Sequence, residues 1–411
     1  MQEQRLALVI TGHVDHGKST LIGRLLYETG ALQEGLIKEI QENLKGTGIK
    51  MEFAHIMDYF EEERKQQRTI DTTQFFFKTK KRPYVIIDTP GHKEFIKNMM
   101  TGSSQAQAAI LILSAKEGIE EQTKRHAYIL KMFGIKNIIM AINKMDTVSY
   151  SKEKFEHIVE SAQAIITFLG IASERIIPIS AQTGENIARR SKNLAWYKGA
   201  CLLDILDGVQ VAQLSKNAAF RFPVQDVFSV NGVSMLLGNV ISGRARKGQE
   251  VFVCPHNNKV KIKTIEVFGQ KLKEASAGQS IGMTVSDTTA IKRGCVLCAG
   301  KQAPHVENRL KAHVFWLSAR PFSYDDELII KCATFEARCR FEEILERLDS
   351  STLAAIEQNS RAIEETQVAN VVLSIAEPMV FEDFNSIEEL GRFVLLRDGE
   401  VCAGGIVTAQ Q

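Results

Sequence analysis

Residues 6–11 (LALVIT) form a short apolar run that empties into a glycine-rich loop. The TLIGRLLYETG stretch after it repeats apolar positions at helical spacing up to Gly30. Strand, loop and helix therefore follow in that order. Further short apolar runs lie at 72–78, 84–88, 108–114, 137–142 and 175–179. From residue 84 onward they alternate with helical stretches at 93–102, 119–133 and 152–169. Such alternation predicts an α/β domain with a doubly wound, mostly parallel sheet, which we assign to residues 1–214. After residue 215 the texture changes to short β-branched runs separated by glycine turns, among them FPVQDVFSV, MLLGNVISG, EVFVCP and KVKIKTIEVFG. These predict an antiparallel β-barrel over 215–305. A second barrel is predicted over 306–411, interrupted by a polar stretch at 350–366.

Composition adds limits. A chain of 411 residues with 44% apolar and 24% charged positions is ordinary globular protein of two or three domains. Its 51 lysines and arginines nearly cancel 49 aspartates and glutamates, so no global field draws it to nucleic acid or an anionic membrane. No apolar run approaches the ~20 residues that span a bilayer. The opening MQEQRLALVITG runs into a strand without a cleavable signal pattern, and we expect a cytoplasmic protein with no membrane partner. Seven cysteines, at 201, 254, 295, 298, 332, 339 and 402, do not form a disulfide framework. Cys295 and Cys298 make one CxxC with no second pair to complete a zinc set, so we read them as strand thiols.

The chemistry concentrates in the first domain. Gly12, Gly17, Lys18 and Ser19 fit the G-x4-G-K-[ST] spacing between a strand and a helix. Glycines let backbone N–H groups approach phosphate oxygens, the lysine adds charge and the serine hydroxyl binds Mg²⁺. Asp15, His16 and Thr20, in the same GHVDHGKST segment, are taken into the phosphate cradle. Asp88 ends the strand YVIID at the sheet's carboxyl edge, where it suits Mg²⁺ through water. Gly91 leaves its N–H open to a terminal phosphate, a sensor of GTP against GDP. Asn143, Lys144 and Asp146 follow another apolar strand. A carboxylate at Asp146 can accept from guanine N1–H and the 2-amino group, a donor pair adenine lacks. Ser180 and Ala181, after RIIPI, would bring a backbone N–H to guanine O6. In the polar stretch 31–71, Phe53, Ile56, Met57 and Phe60 recur as one face of an amphipathic helix that packs on the domain itself. Thr69 is the candidate for the hydroxyl that completes the Mg²⁺ shell when the terminal phosphate is present.

With GHVDHGKST, DTPGH, NKMD, the Ser-Ala pair and two following barrels, the chain resembles the translational GTPases over nearly its full length. EEERKQQRTID, WYKGACLLDILD, RFPVQDVFSV and GRFVLLRDGEVCAGGIV are similar to the branch that holds elongation factor 1-alpha and the large GTPase subunit of bacterial ATP sulfurylase. The resemblance implies a P-loop GTPase domain, GTP or GDP with Mg²⁺ as cofactors, and a catalytic set of Lys18, Thr69 and His92, His92 orienting the attacking water. Gln67 and Arg68 depart from the usual Gly-Ile before the switch threonine. Arg68 cannot form the apolar gate opposite Val14, and we expect it in solvent or on phosphate. Gln107 replaces a frequent aspartate. A short segment in KEGIEEQTKRHAY and TIDTT after the switch threonine favour the sulfurylase subunit. That reading implies GTP hydrolysis coupled to the activation of sulfate by ATP, with a small catalytic subunit as partner. The alternative is an elongation factor 1-alpha-like carrier of aminoacyl-tRNA to the ribosome, or a release- or rescue-factor-like GTPase. Near-neutral charge weighs against tRNA, whereas Lys259, Lys261 and Lys263 could cluster on a barrel.

Overall fold

The computed structural model describes residues 5–13, 15–32, 53, 73–88, 106–132, 134–210, 218–230, 232–267, 269–300, 303–349, 355–358 and 361–408. The chain divides into two compact units, Met1–Val211 and Ala212–Gln411.

In the first unit, β1 (Leu6–Gly12) leads through the glycine loop into α1 (Lys18–Glu28), followed by β2 (Thr73–Lys78), β3 (Pro83–Asp88), β4 (Ala108–Ser114), α2 (Glu121–Met132), β5 (Asn137–Asn143), α3 (Lys152–Ser161), α4 (Gln163–Leu169), β6 (Ile176–Pro178) and α5 (Leu202–Asp207). The sheet order is β2-β3-β1-β4-β5-β6. Every neighbour pairs in parallel except the β2–β3 edge, which is antiparallel from Thr73↔Asp88 to Lys78↔Pro83. All seven residues of β4 are buried, as a central strand covered on both faces requires. Because β1 lies between β3 and β4, the chain reverses its direction across the sheet there, and the crevice at the carboxyl edge of β1 and β4 is the topological switch point where ligands bind.

The helix read from 152–169 is two helices. Ser151 caps the first, accepting from Lys154 N at 3.2 Å, and Ala162 joins it to the second. Gly170, at φ 67°, ends the second in the left-handed conformation that glycine tolerates. Of the amphipathic face expected in 53–60, Phe53 alone is described. Its ring packs beside Tyr27 of α1, with centroids 5.3 Å apart. The predicted helix at 93–102 lies outside the described residues.

The second unit holds two closed antiparallel barrels. Strands Glu250–Cys254, Val296–Ala299, Phe220–Val230, Val233–Asn239, Ser280–Val285 and Asn258–Val267 pair in that order, and the last returns to the first. Its core is Phe222, Val224, Leu236, Val253, Ile265 and Met283. The second ring is Leu328–Cys332, Arg392–Arg397, Glu400–Val407, His305–Trp316, Gln367–Phe381 and Phe335–Asp349, closed by the pairing of Leu328 with Cys339. Trp316, Phe322 and Phe341 centre its core. Within the expected polar interruption, Ala355–Gln358 adds a short outer strand. All seven cysteines are buried free thiols, and Cys298 of the CxxC lies beside Cys254.

Candidate functional site

The glycine loop is shaped by what its glycines touch. Gly12 ends β1 so close to β4 that a Cβ there would lie 2.3 Å from the Ile112 carbonyl oxygen. Gly17 adopts φ 90°, and a Cβ on it would lie 2.5 Å from Asn143 Nδ2. Side chains are excluded at both points, and the loop backbone is held against the sheet edge. Lys18 opens α1 and folds back over the loop, donating from Nζ to the carbonyls of Gly12 (2.9 Å) and His13 (2.8 Å). Those carbonyls hold the ammonium at the mouth of the loop, where a phosphate would compete for it. Ser19 and Asp15 are exposed and Thr20 half-buried at the same mouth.

The second half of the site comes from the ends of β5 and β6. Asn143, buried at the end of β5, donates from Nδ2 to the His16 carbonyl at 2.9 Å and accepts from Ala181 N–H through Oδ1 at 2.9 Å. One amide side chain thus ties the phosphate loop to the Ser180–Ala181 turn. Lys144 has φ 62°, in the left-handed region, and starts the short turn that presents Asp146. Ser180 donates its hydroxyl to Asp146 Oδ1 at 2.6 Å and accepts from Thr183 N–H at 3.2 Å. The carboxylate is fixed in orientation by a charge-assisted hydrogen bond while Asp146 itself stays half-buried. Gly12, Asp15, His16, Gly17, Lys18, Ser19, Thr20, Asn143, Lys144, Asp146, Ser180 and Ala181 are thereby gathered at one edge of the sheet.

Asp88 closes β3 at this edge, paired in register with Thr73. Its side chain, together with Val14, Gln67, Arg68, Thr69, Gly91 and His92, lies outside the described residues. Gln107 is placed elsewhere. Its N–H donates to Ala7 O at 2.8 Å, its Oε1 accepts from Ala7 N–H at 3.2 Å and its carbonyl accepts from Asn137 at 3.1 Å. It therefore ties β1 and β5 together just before β4, at the amino edge of the sheet.

Arg24 escaped the sequence reading. It sits among buried apolar residues of α1, and its guanidinium donates to Ala181 O at 3.0 Å, Gln182 O at 2.7 Å and Glu28 at 3.2 Å. The Phe53 ring covers it, with its centroid 4.1 Å from Cζ. Burial pulls its pKa below the ordinary arginine value, opposed by Glu28. The signal was an arginine on the apolar stripe LIGRLL, a position that must find partners when buried. Behind the loop lies a second polar layer: Thr11 bonds His126, His13 bonds Gln122 at 2.7 Å, and the fully buried His16 donates from Nδ1 to Ile112 O at 3.2 Å. Burial lowers the His16 pKa, countered by the Ile112 bond and by Glu117.

These residues suit a guanine nucleotide with Mg²⁺: a cradle closed to side chains, a lysine at its mouth, an exposed hydroxyl and an oriented carboxylate. Comparison with known proteins agrees. A family model described as Elongation factor Tu GTP binding domain matches residues 3–221, Elongation factor Tu domain 2 matches 235–298, and GTP-eEF1A C-terminal domain-like matches 309–408. Elongation factor 1-alpha of Pyrococcus furiosus is 38% identical over 419 residues, covering 98% of this chain and 97% of that protein. The protein of the same name from Thermococcus onnurineus is 36% identical over 425 residues, covering 100% and 99%. That of Ignicoccus hospitalis is 37% identical over 427 residues, covering 99% and 96%.

The expectation of a sulfurylase subunit coupled to sulfate activation is corrected by these matches, which carry the name Elongation factor 1-alpha over nearly whole chains. The features that favoured it were local. KEGIEEQTKRHAY is a connection and the start of α2, whose length can vary without disturbing the sheet, and residues 69–72 of TIDTT lie outside the described residues. The chain is a GTPase that belongs to the elongation factor 1-alpha family.

Proposed function

We propose that this protein is a translation elongation factor that carries aminoacyl-tRNA to the ribosome in its GTP state and releases it on hydrolysis. The reading rests on identity to proteins named Elongation factor 1-alpha that extends through both barrels as well as the nucleotide domain. Such a carrier works where ribosomes are, in the cytoplasm. We divide it into a nucleotide domain at 1–214 and barrels at 215–305 and 306–411.

In this reading the loop from Gly12 to Thr20, with Asp15, His16, Gly17 and Ser19, cradles the phosphates. Lys18 exchanges its two loop carbonyls for phosphate oxygens. Ser19, Thr69 and, through water, Asp88 hold Mg²⁺, which when bound neutralises charge on the terminal phosphates. Asp146 accepts from the guanine edge, Ser180 orients it, and Asn143, Lys144 and Ala181 shape the base pocket. Gly91 reports the terminal phosphate to the segment carrying His92, which positions the attacking water. Hydrolysis removes the phosphate that Thr69 and Gly91 depend on, so the cycle works as a switch.

The test is protection of the aminoacyl ester. With GTP and Mg²⁺ the protein should slow deacylation of aminoacyl-tRNA and bind it at least about 100-fold more tightly than with GDP. Equal binding in the two states would overturn the proposal.

A further inference from the structure

We propose that His16, Glu117 and Glu120 form a site for one divalent transition-metal ion, best matched to Zn²⁺, behind the phosphate loop. One ligand atom from each of the three lies within 4.8 Å of the others. The buried, unpartnered Nε2 of His16 carries the inference. A carbonyl oxygen only accepts, so the 3.2 Å contact of His16 Nδ1 with Ile112 O fixes the proton on Nδ1. Burial favours the neutral ring, in which Nε2 is then a lone pair, and it has no hydrogen-bond partner among the described residues although it is fully buried. It lies 3.2 Å from Glu117 Oε2. A lone pair held this close to a carboxylate is repulsive unless a positive charge lies near both.

A metal ion supplies that charge without protonating the ring. Zinc-bound histidines characteristically donate their other N–H to a backbone carbonyl or carboxylate, which is the role Ile112 O plays here. Dimensions agree: bonds of roughly 2.0–2.1 Å to N and O ligands at the tetrahedral angle place ligand atoms roughly 3.3 Å apart, close to the 3.2 Å between Nε2 and Oε2. His13 Nε2 lies 3.0 Å from Glu120 Oε2, at the edge of the same cluster. Both glutamates are partly open to solvent, which gives the ion an entry path and an open coordination position. Such an ion would pin the loop carrying His16 to the turn between β4 and α2. It uses none of the side chains assigned to Mg²⁺.

The test loads the full chain with saturating GDP and Mg²⁺, dialyses it against Zn²⁺, and measures bound zinc by elemental analysis after gel filtration. The visible spectrum of a Co²⁺-loaded sample reports the geometry. We expect one Zn²⁺ per chain and a four-coordinate Co²⁺ spectrum. The Glu117→Gln/Glu120→Gln variant should bind Zn²⁺ on the order of 100-fold more weakly while keeping its GDP affinity, which also checks that it folds. The single Glu120→Gln variant serves if the double one does not. Zinc absent from the wild type, or retained equally by the variants, overturns the site.

Discussion

Ser180 and Asp146 share a hydrogen bond of 2.6 Å in which the serine hydroxyl donates to Oδ1. The bond fixes the carboxylate and, in the proposed base pocket, leaves Oδ2 for guanine. Ser180→Ala should leave Asp146 free to rotate and weaken GDP and GTP alike by about 1–2 kcal/mol, roughly 5- to 30-fold. Asp146→Asn goes further, because an amide N–H₂ repels the guanine donors and matches the carbonyl at position 2 of xanthine. Titration with fluorescent nucleotides should show guanine binding reduced at least about 100-fold and xanthine nucleotide binding gained.

Asn143 spans two loops, so Asn143→Ala removes partners from both ends. The His16 carbonyl and the Ala181 N–H would be left unpaired in a buried place. A cost of about 2–4 kcal/mol to the nucleotide-free protein follows from two such groups. Denaturant unfolding without nucleotide should read this directly, since bound GDP would otherwise mask it. Faster GDP release should accompany it. Gly17→Ala should release GDP faster as well, because its Cβ would displace the same Asn143 amide.

The sheet was legible because parallel strands buried on both faces are written as continuous apolar runs, as β4 and β5 are. The loop motifs were legible because glycine spacing reports backbone shape. What could not be read is long-range partnership. Nothing near Arg24 in sequence announces the carbonyls at 181 and 182, and nothing near Gln107 places it at the amino edge beside Ala7. The break at Ala162 was missed because both helices keep one apolar periodicity through 152–169. Closure of each barrel depends on pairings such as Phe252 with Lys259 and with Cys298, which neither segment encodes alone.

Arg24 supports the turn that carries Ala181 from beneath. Arg24→Met keeps the apolar stem under Phe53 and removes the donors to the 181 and 182 carbonyls. We expect GDP to dissociate about 10-fold faster. The preference for guanosine over 2-aminopurine riboside nucleotides, which lack O6, should narrow, whereas general destabilisation would weaken both equally. Arg24→Lys should restore part of the discrimination.

Alkaline pH should separate Tyr84 from its neighbours. Its phenol is fully buried on β3 and donates to Asp207 Oδ1 at 2.6 Å. Burial first, then the Asp207 carboxylate, raise its pKa above the ordinary value of 10.0. The unfolded chain therefore loses this proton near pH 10 while the folded chain keeps it. Stability is whole below that pH and falls as pH rises through the folded value. Tyr128, pushed up to about 12 by burial, adds to the same slope. Tyr84→Phe should flatten the fall by the share of one proton, so that the wild-type advantage measured by urea unfolding at pH 8 shrinks by pH 11.

Arg221 and Glu382 join the two barrels of the second unit. The guanidinium is fully buried, and both Nε and Nη2 contact Glu382 Oε1 at 2.7 Å while Nη1 donates to Phe220 O at 3.1 Å. Around the pair lies a small apolar cluster of Cys254, Val296, Cys298, Val380 and Leu390, drawn from both barrels. Removing Glu382 takes the carboxylate away from a fully buried guanidinium. Glu382→Ala should therefore cost about 3–5 kcal/mol, whereas Arg221→Met with Glu382→Leu, which removes both charges, should cost far less. GDP affinity should stay unchanged in both, because the proposed nucleotide residues belong to the first unit. Denaturant unfolding of the three proteins decides the matter. Equal destabilisation by the single and double changes would mean that lost packing, rather than a stranded charge, governs this interface.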